Sequence, residues 1–168
     1  SLLRAKVDGF IITPTRKSKK YIDQLLKLKK PVALIDRYFP GQPVSHVAMD
    51  NFKAAFHATE LLLHKGRQNI ALVTLSPEMI QMQLREKGSV NAMKGAGLYN
   101  ESHTLYLDYK STETSKINAI IKFFESHPVI DSVLFLANYL GIAGLQAFQQ
   151  MGLKIPNDLY VISFDDHN

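Results

Sequence analysis

No cysteine occurs in these 168 residues, which excludes disulfides, thiolate metal sites and a cysteine nucleophile, and agrees with a reducing compartment. No apolar run approaches the roughly 20 residues that a membrane-spanning helix needs. The opening SLLRAKVDGF carries no signal-peptide core, so the expected location is the cytoplasm and no membrane partner is expected. Also missing are the phosphate-cradling GxxxxGK followed by Ser or Thr, the dinucleotide fingerprint GxGxxG, the nucleophile elbow GxSxG and the zinc helix HExxH. Nucleotide hydrolysis and serine-hydrolase chemistry lose their support with them, and no cofactor is implied. There is no repeat of solenoid length and no low-complexity tract.

Acidic residues are scarce in one region only. Residues 1–30 hold nine Lys or Arg against Asp8 and Asp23, a net of +7, whereas the remaining 138 residues hold eleven against thirteen, a net of −2. The overall +5 is therefore local and is not the broad basic field of a nucleic-acid binder. Lys19, Lys20, Lys27, Lys29 and Lys30 surround the apolar positions Ile22, Leu25 and Leu26. The plainer reading is a solvated helix face, and a phosphate-binding patch is the alternative. With 46% hydrophobic residues, the chain has enough apolar surface for a domain with a true core.

The apolar runs are short and alternate with helical periodicity. Val7 to Thr13, Val32 to Asp36, Val47 to Met49, Ile70 to Leu75, Thr104 to Asp108, Ser132 to Leu136 and Leu159 to Phe164 read as strands. Between them, helices are expected after Ser18, from a cap at Asp50 to Gly66, from Lys87 to Tyr99, from a cap at Ser111 to His127, and from Tyr139 to Met151. The loop Arg37 to His46, with two prolines and a glycine, is the best boundary candidate, and another loop runs through Pro77. Strands alternating with helices of 10 to 15 residues call for the α/β class with a doubly wound parallel sheet and right-handed crossovers.

In such sheets ligands bind beyond the carboxyl ends of the strands. The run Leu159 to Phe164, expected as a buried strand, delivers Asp165 and Asp166 there, and Val32 to Ile35 delivers Asp36 in the same way. Adjacent residues at a strand end point to different sides. That argues against a catalytic dyad of Asp165 and Asp166, and Asp166 is expected to cap or pair locally. The one metal-like grouping is His57, Glu60 and His64. Residues seven apart lie about 10.5 Å apart along a helix axis, too far for the two histidines to share an ion, so no metal site is expected.

The order and spacing of VDGFIIT, PVALIDR, HVAMDN, ATELLLHKGRQNIALVT, REKGSVNAMKGAGL and VLFLANYLGIAGLQAFQQMGLKIPNDLYVISFDD resemble the effector-binding domain of the LacI family of bacterial transcriptional repressors, which shares its fold with periplasmic sugar-binding proteins of type I. The resemblance implies two subdomains with the ligand between them: a partial N-terminal one over residues 1–49 and a partial C-terminal one over residues 50–168. It also implies a small-molecule effector such as a sugar, a homodimer, and operator DNA bound through a helix-turn-helix domain absent from this chain. Carried over residue by residue, it points to Asp36, Arg85, Tyr109, Asn138 and Asp165 as ligand-binding positions. Arg85 would grip hydroxyls or an anionic group, and Tyr109 would stack on the ligand. Two carboxylates, an amide, a guanidinium fork and a ring suit a polyol and require no nucleophile, so the expectation is a binding protein and not an enzyme. A periplasmic sugar-binding protein of a transport system is the alternative. The chain departs from the family pattern at Tyr139, where an acidic residue is usual, and at Ser163, where glycine is usual.

Overall fold

The computed structural model describes residues 7–76 and 79–165. Pro77 and Asp166, both singled out in the sequence, lie outside the described residues. The elements are β1 (Phe10–Ile12), α1 (Lys19–Lys27), β2 (Val32–Ile35), β3 (Ser45–Val47), α2 (Asn51–His64), β4 (Ile70–Leu75), α3 (Ile80–Gly95), β5 (Thr104–Leu107), α4 (Glu113–Ser126), β6 (Ser132–Phe135), α5 (Asn138–Gln150) and β7 (Tyr160–Ser163). Every described strand pairing is parallel, so the chain has the α/β class expected from its rhythm. It divides into two compact units, one of residues 1–50 with 79–81 and one of residues 51–78 with 82–168. No described helix is long and apolar enough to cross a membrane.

The first unit holds a three-stranded sheet of order β1-β2-β3. Helix α1 packs on β2, burying Ile22 and Leu25, and Leu34 is buried in the sheet itself. The helix stops before Pro31 in a left-handed turn at Lys29 (φ 53°), where Lys30 N–H donates to the Leu25 carbonyl at 3.0 Å. Ser18 occupies the expected N-cap position without making a cap bond. Its hydroxyl oxygen instead accepts from Thr15 N–H at 2.9 Å, tightening the turn between β1 and α1. Register places Ile11 beside Ala33, and Ile35 beside Val47. On that face Ile11 is 75% and Val47 73% exposed. The third strand lies over Ser45–Val47 instead of 47–49, and all three of its residues are exposed.

The second unit holds a four-stranded sheet of order β5-β4-β6-β7. Both central strands, β4 and β6, are buried at every residue, as near-continuous apolar runs in a parallel sheet should be. The edge strands are only partly buried. This corrects the expectation of a buried β7: its apolar run Leu159 to Phe164 has a strand neighbour on one side only. Helices α4 and α5 pack against each other, with the Phe124 and Phe148 rings edge to face at 4.8 Å. Phe135 fits beneath because Gly144 has no side chain, and a Cβ there would lie 2.0 Å from the ring.

Two helix starts differ from the expectation. The cap of α4 is Thr112 and not Ser111: the Thr112 hydroxyl accepts from Ser115 N–H at 3.2 Å. Helix α3 begins at Ile80, two turns before the expected Lys87, and ends at Gly95. Its buried residues are Gln81, Met82, Arg85, Gly88, Ser89, Ala92 and Met93, of which only Met82 is a large apolar side chain in the first turns. Hydrophobic periodicity therefore could not register the first turns.

Candidate functional site

Strand order alone points to a candidate site in the second unit. From β4 the chain goes to β5 on one side and then returns past β4 to β6 on the other. The connections diverge at the carboxyl ends of β4 and β6, where open α/β sheets leave a crevice for ligands. Arg85, on the helix that follows β4, and the residues that follow β6 and β7 converge at this edge.

Arg85 is 5% exposed and is held on several sides. Its Nε donates to Asn51 Oδ1 at 2.7 Å, and its Nη1 to the Leu136 carbonyl at 2.8 Å. Nη1 also donates to Asp165 Oδ2 at 3.1 Å, while Nη2 reaches Asp165 Oδ1 at 3.5 Å. The guanidinium carbon sits 4.2 Å from the Phe164 ring centroid, a cation–π contact. The planar fork thus spends its donors on fixing three separate chain segments: the start of α2, the end of β6 and the end of β7. Burying a charge in this way requires such partners. Among the described residues Arg85 is the anchor, and Asp165, with its side chain 43% exposed, is the group it presents to solvent.

Packing of small residues makes this arrangement possible. Gly88 lies one turn beyond Arg85, and a Cβ there would stand 2.1 Å from the Phe52 carbonyl oxygen. Helix α3 can therefore approach α2 closely enough for Arg85 to reach Asn51, the residue before Phe52. Ser163, the departure from the resembled pattern, is accommodated in the same manner. Its Oγ would lie 2.4 Å from a Cβ at Gly141, so the missing side chain on α5 makes room for the added hydroxyl on β7.

Asp165 and Asp36 share a backbone feature that the sequence did not announce. The non-glycine residues with positive φ among those described are Lys29, Asp36 (69°) and Asp165 (62°). Left-handed backbone disfavours most side chains, and Asp tolerates it better than they do. Each carboxylate stands where its strand ends in a sharp left-handed step. In the first unit, Asp36 N–H donates to the Val47 carbonyl at 2.9 Å, and Asp36 Oδ2 accepts from Arg37 Nε at 3.1 Å.

The remaining expected site residues are placed as follows. Asn138 opens α5 two residues after Leu136, and its Oδ1 accepts from Tyr139 N–H at 2.7 Å. Because Phe135 pairs with Ser163, Asn138 and Asp165 leave neighbouring strands at the same edge. Tyr109 follows β5, on the other side of β4, and is 66% exposed. The structure therefore joins Arg85 and Asp165 directly, sets Asn138 on the adjoining strand end, leaves Tyr109 apart, and has Asp36 in the first unit. Sequence reasoning missed Asn51, Leu136 and Phe164. Asn51 had a usable signal, standing beside Asp50 at a helix start.

The grouping of His57, Glu60 and His64 is a surface pair, with His57 Nδ1 2.9 Å from Glu60 Oε2. Among the described residues no cluster of His, Cys, Asp or Glu could hold a metal ion. The groups whose titration the fold perturbs are Tyr106, Tyr99 and His103. Burial pushes the Tyr106 hydroxyl up, assisted by its hydrogen bond to Glu86. Tyr99 is raised by burial and then by Glu101 and Glu86. His103 is lowered by burial and then by His127, against an opposing pull from Asp131.

Comparison with known proteins fits this architecture. Over 168 residues the chain is 29% identical to catabolite control protein A of Priestia megaterium, covering 99% of this chain and 50% of that protein. It thus spans about half the length of that relative. Among solved structures, a transcriptional regulator CelR–cellobiose complex superposes with a TM-score of 0.85 at 26% identity, covering 98% of this chain and 51% of that one. A LacI-family regulatory protein from Chloroflexus aggregans superposes at 0.86 with 23% identity, covering 98% and 59%, a likeness of fold alone. The family model for periplasmic binding proteins and the sugar-binding domain of the LacI family matches residues 1–167. The chain belongs to that family.

Proposed function

We propose that this chain is the effector-sensing part of a LacI-type transcriptional regulator, and that it binds a small polar ligand, a sugar, through Arg85, Asn138 and Asp165, with Tyr109 and with Asp36 of the first unit. The observation that carries the reading is the buried Arg85, anchored on Asn51 and Leu136 and holding Asp165 half-exposed at the carboxyl edge. An aspartate fixed in this way accepts hydrogen bonds from ligand hydroxyls without further ordering, and preorganisation of that kind is what small-molecule sites exploit. The relatives are regulators and sugar-binding domains, not enzymes, and one of them is solved with cellobiose. These relatives favour a regulator over a transport protein.

In this reading a homodimer in the cytoplasm binds operator DNA through a separate domain. The effector shifts the balance between two arrangements by its differential affinity for them, typically about 1 to 3 kcal/mol for an allosteric coupling. The test is calorimetric titration of a sugar panel against the complete gene product and its Asp165→Ala variant. Loss of a charge-assisted hydrogen bond contributing about 1.5 to 3 kcal/mol should weaken the cognate sugar by roughly 10- to 150-fold. A variant that binds as tightly as wild type would move the site elsewhere.

A further inference from the structure

We propose that Lys116 is a positioning residue that holds the turn after β5 rigid, so that Tyr109 is presented to a bound sugar in a fixed place. The inference rests on the proposed effector reading, in which Tyr109 lies against the ligand. Tyr109 stands apart from the pair of Arg85 and Asp165, so whatever orders it must come from its own segment.

That segment, Asp108 to Lys116, is closed on itself. Ser111 N–H donates to the Asp108 carbonyl at 3.1 Å, closing a turn with Tyr109 and Lys110 at its tip. Asp108 Oδ1 accepts from Lys110 N–H at 2.9 Å, the local bond by which an Asp side chain fixes such a turn. On the helix side, the Thr112 hydroxyl caps α4, and Lys116 N–H donates to the Thr112 carbonyl at 3.0 Å. Lys116 Nζ joins the two halves. It donates to the Ser111 carbonyl and reaches the Tyr109 carbonyl at 3.5 Å. The exposed tip is thereby tied to a helix that packing against α5 holds in place.

Stability of the fold gives little reason for a cation at this position. Lys116 lies in the first turn of α4, where the positive end of the helix disfavours it. It takes part in none of the ion pairs among the described residues, and its ammonium is directed at the carbonyls of one turn. Tyr109, at the tip of that turn, is 66% exposed and contributes little to the core. It follows the carboxyl end of β5, on the edge where open α/β sheets take ligands. A turn ordered in advance spares the ligand the cost of ordering it on binding.

The experiment separates this role from the effector reading. The complete gene product is titrated by calorimetry with cellobiose, glucose, galactose and ribose. The tightest-binding sugar is carried through a double-mutant cycle of wild type, Lys116→Met, Tyr109→Ala and the two together. Lys116→Arg is the conservative variant, and Lys122→Gln, which removes the same charge from an exposed position on α4, is the control. Lys116→Met keeps the apolar stem and loses the donor. It should weaken the sugar about three- to tenfold in the wild-type background. Where Tyr109 is already Ala, it should weaken the sugar by less than about twofold, because the residue it positions is gone. Lys116→Arg should restore most of the loss, and Lys122→Gln should bind as wild type. Equal losses in both backgrounds make Lys116 a structural residue and overturn the inference, as does wild-type affinity in Lys116→Met. Should Lys116→Met not fold, Lys116→Gln, whose shorter side chain falls short of the Ser111 carbonyl, takes its place in the cycle. If Asp165→Ala weakens the sugar while Tyr109→Ala does not, the effector reading stands and the positioning role falls. If no sugar binds wild type, both fall.

Discussion

The two units are built from the same unit of strand and helix, yet they bury their sheets to very different degrees. In the second unit β4 and β6 are buried at every position. In the first, no strand is buried throughout, and Ile11, Ile35 and Val47 lie open on one face. A parallel sheet is stable when both faces are covered, and burial of a single Leu or Ile side chain contributes about 1.5 to 3 kcal/mol. The second unit therefore has the stability to hold a charged group such as Arg85 in its interior. The first keeps its charges at the surface, along the Arg16–Lys20 turn and at Asp36. The difference teaches where a substitution acts on folding and where it acts on binding alone.

The largest expected effect tests that contrast directly. Phe135 is fully buried, meets Phe148 and occupies the space left by Gly144. Phe135→Ala should cost about 3 to 5 kcal/mol, whereas Ile11→Ala, at a residue 75% exposed, should stay within about 0.5 kcal/mol. Denaturant titration followed by circular dichroism measures both, and comparable losses would abolish the distinction between the units. Next in size is Gly88→Ala. A methyl group 2.1 Å from the Phe52 carbonyl oxygen forces α3 away from α2, at about 1 to 3 kcal/mol. The same shift should lengthen the reach from Arg85 to Asn51, so sugar affinity should fall along with stability.

The paired carboxylates sharpen the comparison further, because both occupy left-handed backbone that glycine would relieve. Asp36→Gly loses only an exposed pair with Arg37. The backbone relief and the added chain entropy nearly cancel, leaving stability within about 0.5 kcal/mol of wild type. Asp165→Gly removes a partner of a buried guanidinium that keeps Asn51 and the Leu136 carbonyl, for a net loss of about 1 to 2 kcal/mol. Equal unfolding midpoints for the two variants would show that Arg85 does not depend on Asp165.

The same contrast decides what could be read from the chain without its structure. The buried strands β4 and β6 and the helices α4 and α5 stand out because a covered parallel sheet is written in continuous apolar runs and in apolar residues at helical spacing. Helix α3 was half-hidden because Gln81, Arg85, Gly88 and Ser89 are among its inward residues, and their burial depends on what faces them. Arg85 and Asp165 were each legible as candidate site residues. Their bond was not, because residues 80 apart in the chain carry no local trace of a tertiary contact. The bond of Arg85 to Asn51, 34 residues away in the chain, was hidden for the same reason. Ser163 was legible as a departure, but its remedy at Gly141 was not. The left-handed φ of Asp36 and Asp165 had no glycine to announce it.

The smallest expected effect lies at the opposite edge of the second unit's sheet and concerns pH. His103 is 6% exposed and precedes β5. Asn100 Oδ1 accepts from both Ser102 N–H and Ser102 Oγ, which turns its Nδ2 toward His103 Nε2 at 3.1 Å. That ring nitrogen must then accept, so the imidazole is neutral in the fold. The charges facing it are His127, whose ring lies edge to face at 5.9 Å, and Asp131; burial and His127 outweigh Asp131 and lower its proton affinity. The folded pKa thus lies below the unfolded one, and in the window between them the unfolded chain binds more protons. Stability from this group is present in full above an unfolded pKa of about 6.5. It declines as pH falls through that value and is lost once pH drops below the folded pKa. Urea midpoints measured from pH 8 to pH 5 should therefore decline more in wild type than in His103→Gln. If the two profiles run parallel, His103 is not what makes this unit sensitive to acid.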